Sequence, residues 1–483
     1  MRAVHRVAVA IAGFAAIGCP NGSSVDDDAE TATSGDETGT DTAIGEAGPL
    51  GCPSGEVCTL VLVSQTLDDR VEIFSPGDPG GNVYRGTIDL DLKPNLDGDN
   101  SSGRLDEPFG LALAGGHLHV LVGHYPQRDS GSLVSFPLSF LEGFAVGQTI
   151  PLSSYYDGGS FDGVTQVGFG EEEPIFMLPY GDRLLVSVFN NDLFTAETTW
   201  TNPGKLLVID PADPSRVGVR DLVGLDGATC DGAAGLVDLG GGRVAVACDG
   251  NDAVAFLDVS AVGSGDPSVA AATITGNVCS LPVATERRVR YLAPDGTGVI
   301  VPVGPGGLSA LGSADLHRVD ANTCFRGVTP VASNGQAQLG HIVASSNDTW
   351  LLASGAGQLT AGGLRGIYVL RDVGGVLELC DTPIGGFDAH WETPGLPVDP
   401  FALALTDDGR HLAVGASPTN SEAAGGIHGK VLWASLPSFD DDPCAATAEV
   451  VDLTSGELAA SEDHVASWRR APDVVEVFRV QGR

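Results

Sequence analysis

Hard oxygen donors crowd one short stretch of this chain. Residues 95–107, NLDGDNSSGRLDE, gather Asp97, Asp99, Asn100, Ser101, Asp106 and Glu107. Carboxylate and amide oxygens collected on a turn are the donor set that calcium takes. The spacing is not that of an EF-hand, since the sixth position from Asp97 is Ser102 rather than glycine and the twelfth is Pro108. A calcium site centred on Asp97, Asp99 and Asn100 therefore competes with a plain Asp/Gly turn. Shortly after, His117 and His119 stand two apart. On a strand this spacing turns both imidazoles to one face, a geometry that suits a metal, although no third ligand can be named from sequence. His124 has the opposite parity. No cofactor is required by these residues, and calcium is the one they suggest. The local signatures of nucleophilic, zinc-hydrolase, haem and phosphate-loop chemistry, G-x-S-x-G, H-E-x-x-H, C-x-x-C-H and the P-loop, are missing.

The elements that must position these residues are strands. PFGLALAGGHLHVLVG at 108–123 returns as PFALALTDDGRHLAVG at 400–415, with eight of sixteen positions identical. Each copy is an alternating strand, a Gly- or Asp-rich turn and a second alternating strand. The same grammar recurs at 59–64 with 70–74, 184–188 with 205–210, 244–248 with 253–258, 349–354 with 366–371 and 412–416 with 430–435. A degraded copy stands at 298–303 with 315–320, and a last pair at 465–468 with 474–480. The first strands of these hairpins lie 51–66 residues apart, room for four short strands and a long loop, which is the size of a propeller blade. The 67 glycines and 29 prolines supply turns, and no long segment keeps a helical period. The expected fold is all-β, a β-propeller over residues 52–483. Eight hairpin starts allow eight blades, but the first lacks a preceding strand and the last lacks a following one. Joining the termini in one composite blade gives seven and leaves no open sheet edge.

These hairpins resemble the YVTN-type and NHL-type propeller families, in which a Pro-led apolar strand precedes a DG-x-x-hydrophobic-Val turn and strand. Residues 400–414, with Asp408-Gly409 at the turn, carry the pattern best. Such propellers include lactonases, scaffolds and binding modules, so the fold leaves the function open. Lactonase-type members hold a central divalent metal with acidic and amide residues from separate blades. Asp68, Glu107, Asn190, Asn191, Asp249 and Asn251 are hairpin residues of that kind. SEDHVASW at 461–468 is similar to the Asp-box turn of sialidase-like propellers, with Val465 in place of its glycine.

Ahead of the repeats, Arg2 and Arg6 precede an apolar run from Val7 to Ile17 that is too short to span a bilayer. It ends Ala16-Ile17-Gly18-Cys19, which resembles a bacterial lipobox, departing from it in having Ala16 where leucine is usual. The resemblance implies a signal peptide at 1–18 and a diacylglycerol on Cys19. Residues 20–51 contain eight acidic residues, no basic one and no aromatic. Such a stretch buries too little apolar surface to offset its ordering entropy, and 19–51 is expected to be a disordered, solvated tether. The implied address is the cell envelope of a bacterium, lipid-anchored at the outer membrane or cell surface, with the inner membrane as the other choice. With Cys19 assigned to lipid, eight of the nine cysteines remain. No C-x-x-C pair points to zinc, so disulfides are expected; Cys52/Cys58, Cys230/Cys248, Cys279/Cys324 and Cys380/Cys444 are the pairings nearest in sequence, and the sequence does not choose among the roughly 105 connectivities that eight cysteines allow. A formal charge of −38 repels phosphate backbones and argues against nucleic acid as a partner.

Two functions fit. One is a surface binding or interaction module for a protein or glycan ligand, with no catalysis. Tyr155, Tyr156, Phe161, Phe387 and Trp391, on the long loops 153–173 and 386–399, would be its candidate anchors, unless they cap blade interfaces instead. The other is an exported metal-dependent hydrolase of the lactonase type. Carboxylates and amides converging in the central channel would mark the hydrolase, and small or apolar residues filling it would mark the scaffold.

Overall fold

Strict alternation in the second strand of each hairpin decides how the domain packs. In Val57–Gln65, Leu60 and Leu62 join one buried cluster while Val61 and Val63 join another. In Arg243–Cys248, Val244 and Val246 face one side and Ala245 and Ala247 the other. A strand apolar on both faces must be covered on both, and radial stacking of sheets provides that cover.

The computed structural model describes residues from Cys52 to Gln481 apart from 53–54, 66–69, 79–80, 91–104, 126–130, 139–147, 152–163, 170–173, 191–202, 264, 282–286, 297, 306–314, 331–337, 346–349, 357–364, 374–375, 394–395, 419–428, 437–442 and 455–471. The described strands form seven sheets, the blades of a seven-bladed β-propeller. Blade 1 is composite: the C-terminal strand Pro472–Gln481 pairs with Val57–Gln65, followed outward by Arg70–Asp78 and Gly81–Asp89. Blade 2 holds Leu105–Ala114, His117–Tyr125, Ser132–Pro137 and Thr165–Gly168. Blade 3 holds Pro174–Tyr180, Arg183–Val188, Lys205–Asp210 and Asp213–Asp221. Blade 4 runs through Ala233–Gly240, Arg243–Cys248, Ala253–Asp258 and Thr275–Ser280. In blade 5 the inner strand is split into Arg287–Arg288 and Ala293–Asp295, before Gly298–Pro305, Asp315–Asp320 and Cys324–Pro330. Blade 6 holds Gln338–Ala344, Trp350–Ala356, Gly366–Val373 and Val376–Leu379. Blade 7 holds Leu396–Leu405, His411–Pro418, Lys430–Ser435 and Glu449–Asp452, with the short Glu392–Thr393 beside its inner strand.

Seven buried apolar clusters fill the seven blade interfaces, and the last of them closes the ring. It sets Ala402, Ala413 and Trp433 of blade 7 against Val61, Phe74 and Val475 of blade 1. The seven-blade expectation with joined termini therefore holds. The twin segments 108–123 and 400–415 are the inner hairpins of blades 2 and 7. The expected eighth start at 465–468, and with it the Asp-box-like stretch, falls outside the described residues.

Many of the acidic side chains have local work. Asp210, Asp238, Asp258, Asp320, Asp408 and Asp452 each accept the backbone N–H two residues on, at 2.7–3.1 Å, closing turns at strand ends. Those bonds stabilise the ionised form: Ser260 holds the Asp258 carboxyl below its ordinary range, and Thr406 does so for Asp408. Among the described residues no helix is long and apolar enough to cross a membrane.

The eight cysteines form four disulfides, in the pairings nearest in sequence. Cys279–Cys324 ties the outer strands of blades 4 and 5, and Cys380–Cys444 ties blade 6 to blade 7. Cys230–Cys248 anchors the entry to blade 4, and Cys52–Cys58 stands where the chain enters blade 1, with Cys52 packed in the same cluster as Val480 of the C-terminal strand. Thiol titration of the denatured, unreduced domain from Cys52 onward should thus find essentially no free thiol. Four or more would contradict the framework.

Candidate functional site: the central channel

The period of two that packs the blades breaks at one recurrent place. In the inner strands of blades 1, 2, 3, 4, 6 and 7 the register with the second strand slips near the same end, in blade 2 between Pro108 and Leu111 and in blade 7 between Pro400 and Ala402. In blade 5 the inner strand is interrupted over residues 289–292 instead. A bulge inserts an extra residue and re-aims its side chain. These irregularities bring side chains together at the centre that lie far apart in sequence.

What meets there is mostly aromatic. Tyr291, from the break in blade 5, is the hub. Its ring lies 4.8 Å from the His341 imidazole of blade 6, 5.8 Å edge-on from Phe176 of blade 3 and 6.3 Å edge-on from Phe401 of blade 7. The reach across blade 4 depends on Gly235. Its N–H donates to the Arg290 carbonyl at 2.9 Å, and a Cβ there would stand 2.6 Å from that oxygen. His341 Nδ1 accepts the N–H of Leu403 at 2.9 Å, and Ser354 Oγ lies 3.4 and 3.2 Å from the carbonyls of His341 and Phe401. Rings at these separations touch, so the four side chains form one cluster across blades 3, 5, 6 and 7, each still half-buried.

Electrostatics match the packing. Burial lowers the His341 imidazole to about 4, consistent with a neutral ring that accepts a hydrogen bond. Glu476, on the inner strand of blade 1, shares a strand face with Phe478 and is pushed up to about 7 by burial. The residue as a whole is half-buried. Both groups are driven toward their uncharged forms.

The histidines, asparagines and aromatics singled out from sequence, where described, make other contacts. His117 and His119 do lie side by side, ring centres 5.8 Å apart. His119 is fully buried, with Nδ1 2.8 Å from Ser135 Oγ and Nε2 3.2 Å from the Ala114 carbonyl, and burial lowers it to about 4. Both nitrogens of His119 are taken by protein groups, while His117 stays half-exposed with Nδ1 3.0 Å from the Gly115 carbonyl. Asn190 Nδ2 donates to the Pro203 carbonyl at 2.8 Å, clipping the connection between the second and third strands of blade 3, and Asn251 Nδ2 donates to the Thr229 carbonyl at 2.6 Å, clipping the connection that enters blade 4. Asp249 is buried beside Cys248. Phe387 and Trp391 are 1% and 5% exposed and stacked at 5.5 Å in the core between blades 6 and 7. They cap that interface and offer no free face to a ligand. Tyr155, Tyr156, Phe161, Asp68, Asn191, Asp97, Asp99 and Asn100 lie outside the described residues, and Glu107 is described only as backbone in the inner strand of blade 2. Among the described residues no group of three or more His, Cys, Asp or Glu is placed to hold a metal ion.

Comparison with known proteins places the architecture. The sequence matches no protein-family model and no curated protein. Solved structures do match in shape. A protein of Bacteroides fragilis provisionally called a 6-phosphogluconolactonase superposes with a TM-score of 0.50 at 11% identity, over 87% of this chain and 98% of that one. A protein from Lactobacillus plantarum does so with a TM-score of 0.50 at 13% identity, over 88% and 100%. At these identities the likeness is one of fold.

Proposed function

We propose that this seven-bladed propeller is a non-catalytic binding scaffold, exported and held at the bacterial cell envelope by a lipid on Cys19. The observation that carries the reading is the aromatic cluster of Phe176, Tyr291, His341 and Phe401 at the level of the inner-strand bulges. A hydrolase built on a propeller channel needs charged or amide ligands converging where these rings meet, whereas the ionisable ring in the cluster, His341, favours its neutral form and Asp399, two residues before Phe401, is paired with Arg365. Recognition then belongs to the loops that a rigid ring of blades displays, with a protein or glycan as ligand. The strongly acidic surface disfavours nucleic acid and membrane phosphates as partners.

The anchor is tested by mass spectrometry of the exported protein. A mature chain beginning at Cys19 and carrying lipid is expected, with Cys19→Ala released to the soluble fraction. Cleavage elsewhere, or identical fractionation of both proteins, contradicts it. The second reading, a metal-dependent hydrolase of the lactonase type, draws support from the fold shared with the Bacteroides fragilis protein. It requires a site outside this aromatic cluster.

A further inference from the structure

Two aromatic groups in this ring are built differently. Phe387 and Trp391 stack nearly parallel, at 8° and 5.5 Å, and are buried in the core between blades 6 and 7. Phe176, Tyr291, His341 and Phe401 come from four blades, and all four stay half-buried. The contacts of Tyr291 with Phe176 and Phe401 are edge-on, at 88° and 85°. An edge-on contact occupies the face of only one of its two rings, so ring faces are left over. Neighbouring blades cover the faces of the inner strands, and second strands cover their outer edges. The surface that the four rings keep therefore opens onto the central axis.

The cluster carries one fixed polar handle. His341 Nδ1 accepts the Leu403 N–H at 2.9 Å, so the proton of the neutral ring sits on Nε2. Among the described residues nothing accepts that proton. The site thus offers apolar ring faces and an N–H donor, and its occupant must bring an apolar face and an acceptor. A quaternary ammonium group would suit the rings but has no lone pair for the Nε2–H. A phosphate or carboxylate would accept the proton but meets a chain of formal charge −38. A pyranose ring meets both demands without charge: its C–H groups lie against the electron-rich ring faces, and its oxygens accept.

We infer that Phe176, Tyr291, Phe401 and the Nε2–H of His341 form a binding site for a neutral saccharide on the axis of the propeller. The inference rests on the binding-scaffold reading and deepens it, setting a sugar site on the inner strands in addition to the displayed loops. Tyr291 supplies the central ring, Phe176 and Phe401 flank it from blades 3 and 7, and His341 orients the sugar through one hydrogen bond.

The test titrates the mature exported chain with neutral hexasaccharides of glucose, xylose, mannose and N-acetylglucosamine, followed by calorimetry. Saturable one-to-one binding of at least one of them is expected. Tyr291→Ala should weaken it by about tenfold, the factor that roughly 1.4 kcal/mol of ring contact represents. His341→Asn keeps an acceptor for the Leu403 N–H but has no donor where the Nε2–H stood, so it should weaken binding by about fivefold. Each variant is first shown to melt cooperatively, and if Tyr291→Ala does not fold, Phe401→Leu takes its place. Failure of all four saccharides to bind the wild-type chain overturns the inference. So does binding that both folded variants leave intact, which would move the sugar to the loops. Binding of tetramethylammonium in place of any saccharide overturns it too, because the cluster would then be a cation cage. Chromatography of the bound sugar separates this claim from the scaffold reading. An intact sugar supports both, whereas a cleaved one contradicts the scaffold reading and leaves the site standing. Absence of binding removes the site and leaves the scaffold reading untouched.

Discussion

A domain truncated after residue 471 should show no cooperative unfolding transition, where the intact domain shows one. The lost segment, Pro472–Gln481, is the inner strand of the composite blade and pairs with Val57–Gln65 along its whole length. Its Val475 and Val477 pack into the blade 7 interface, and Phe478 and Val480 into the blade 2 interface. Removing it strips one wall from two adjoining cores and opens the ring, and repeat units of this size cannot each bury an apolar face alone. An ion pair across the closure is lost as well, since Arg479 reaches Asp408 of blade 7 at 3.1 Å. Circular dichroism melting would check this, with a truncation after Gln481 as the control that keeps its transition. A sharp, reversible melt from the shorter chain would mean that the ring closes by some other route.

Glu476→Gln should stabilise the domain at pH 8 and leave it unchanged at pH 4.5 or below. Burial raises the folded-state pKa of Glu476 from 4.5 to about 7, so the folded chain holds this proton more tightly than the unfolded one. Its contribution is therefore complete below about pH 4.5 and is lost as pH rises through 7. The gain from the amide at pH 8 is at most about 3 kcal/mol, from the 1.36 kcal/mol that each pKa unit represents. His341 works in the opposite sense: its lowered pKa costs stability as pH falls from 6.5 through about 4. The two windows overlap, so the difference between variant and wild type at each pH is the informative quantity, read from denaturant midpoints. An equal shift at pH 4.5 and pH 8 would show that the carboxyl is not driven neutral.

The parts of this fold that follow a strict period were readable from residues alone. Second strands such as Leu118–Val122, Leu184–Val188 and Leu412–Ala416 alternate cleanly because both faces are buried against neighbouring blades, and their regular return counted the blades. Disulfide connectivity was open in the sequence, and the structure selects the pairings nearest in sequence because each pair lies within one blade, at the entry to one, or between adjoining blades. The centre was not readable. Tyr291 sits in a break in its strand and His341 and Phe401 at bulges, where the added residue destroys the period that would have assigned them a face. They also come from different blades, so no local motif could join them. Glu476 left a faint signal, a carboxylate inside the otherwise apolar run VVEVF. The sequence pattern offered His117 and His119 instead, whose spacing suits a metal but whose partners are a serine and backbone carbonyls.

The most direct measurement is turnover. The purified domain from Cys52 to Arg483, at micromolar concentration, is incubated with a panel of lactones and esters, with and without added calcium, magnesium, manganese or zinc, and again with chelator. A scaffold whose inner strands meet in a neutral aromatic cluster is expected to give rates equal to the buffer control under every condition. Hydrolysis that appears with one metal, disappears with chelator and returns when that metal is restored would contradict the scaffold reading and establish the hydrolase.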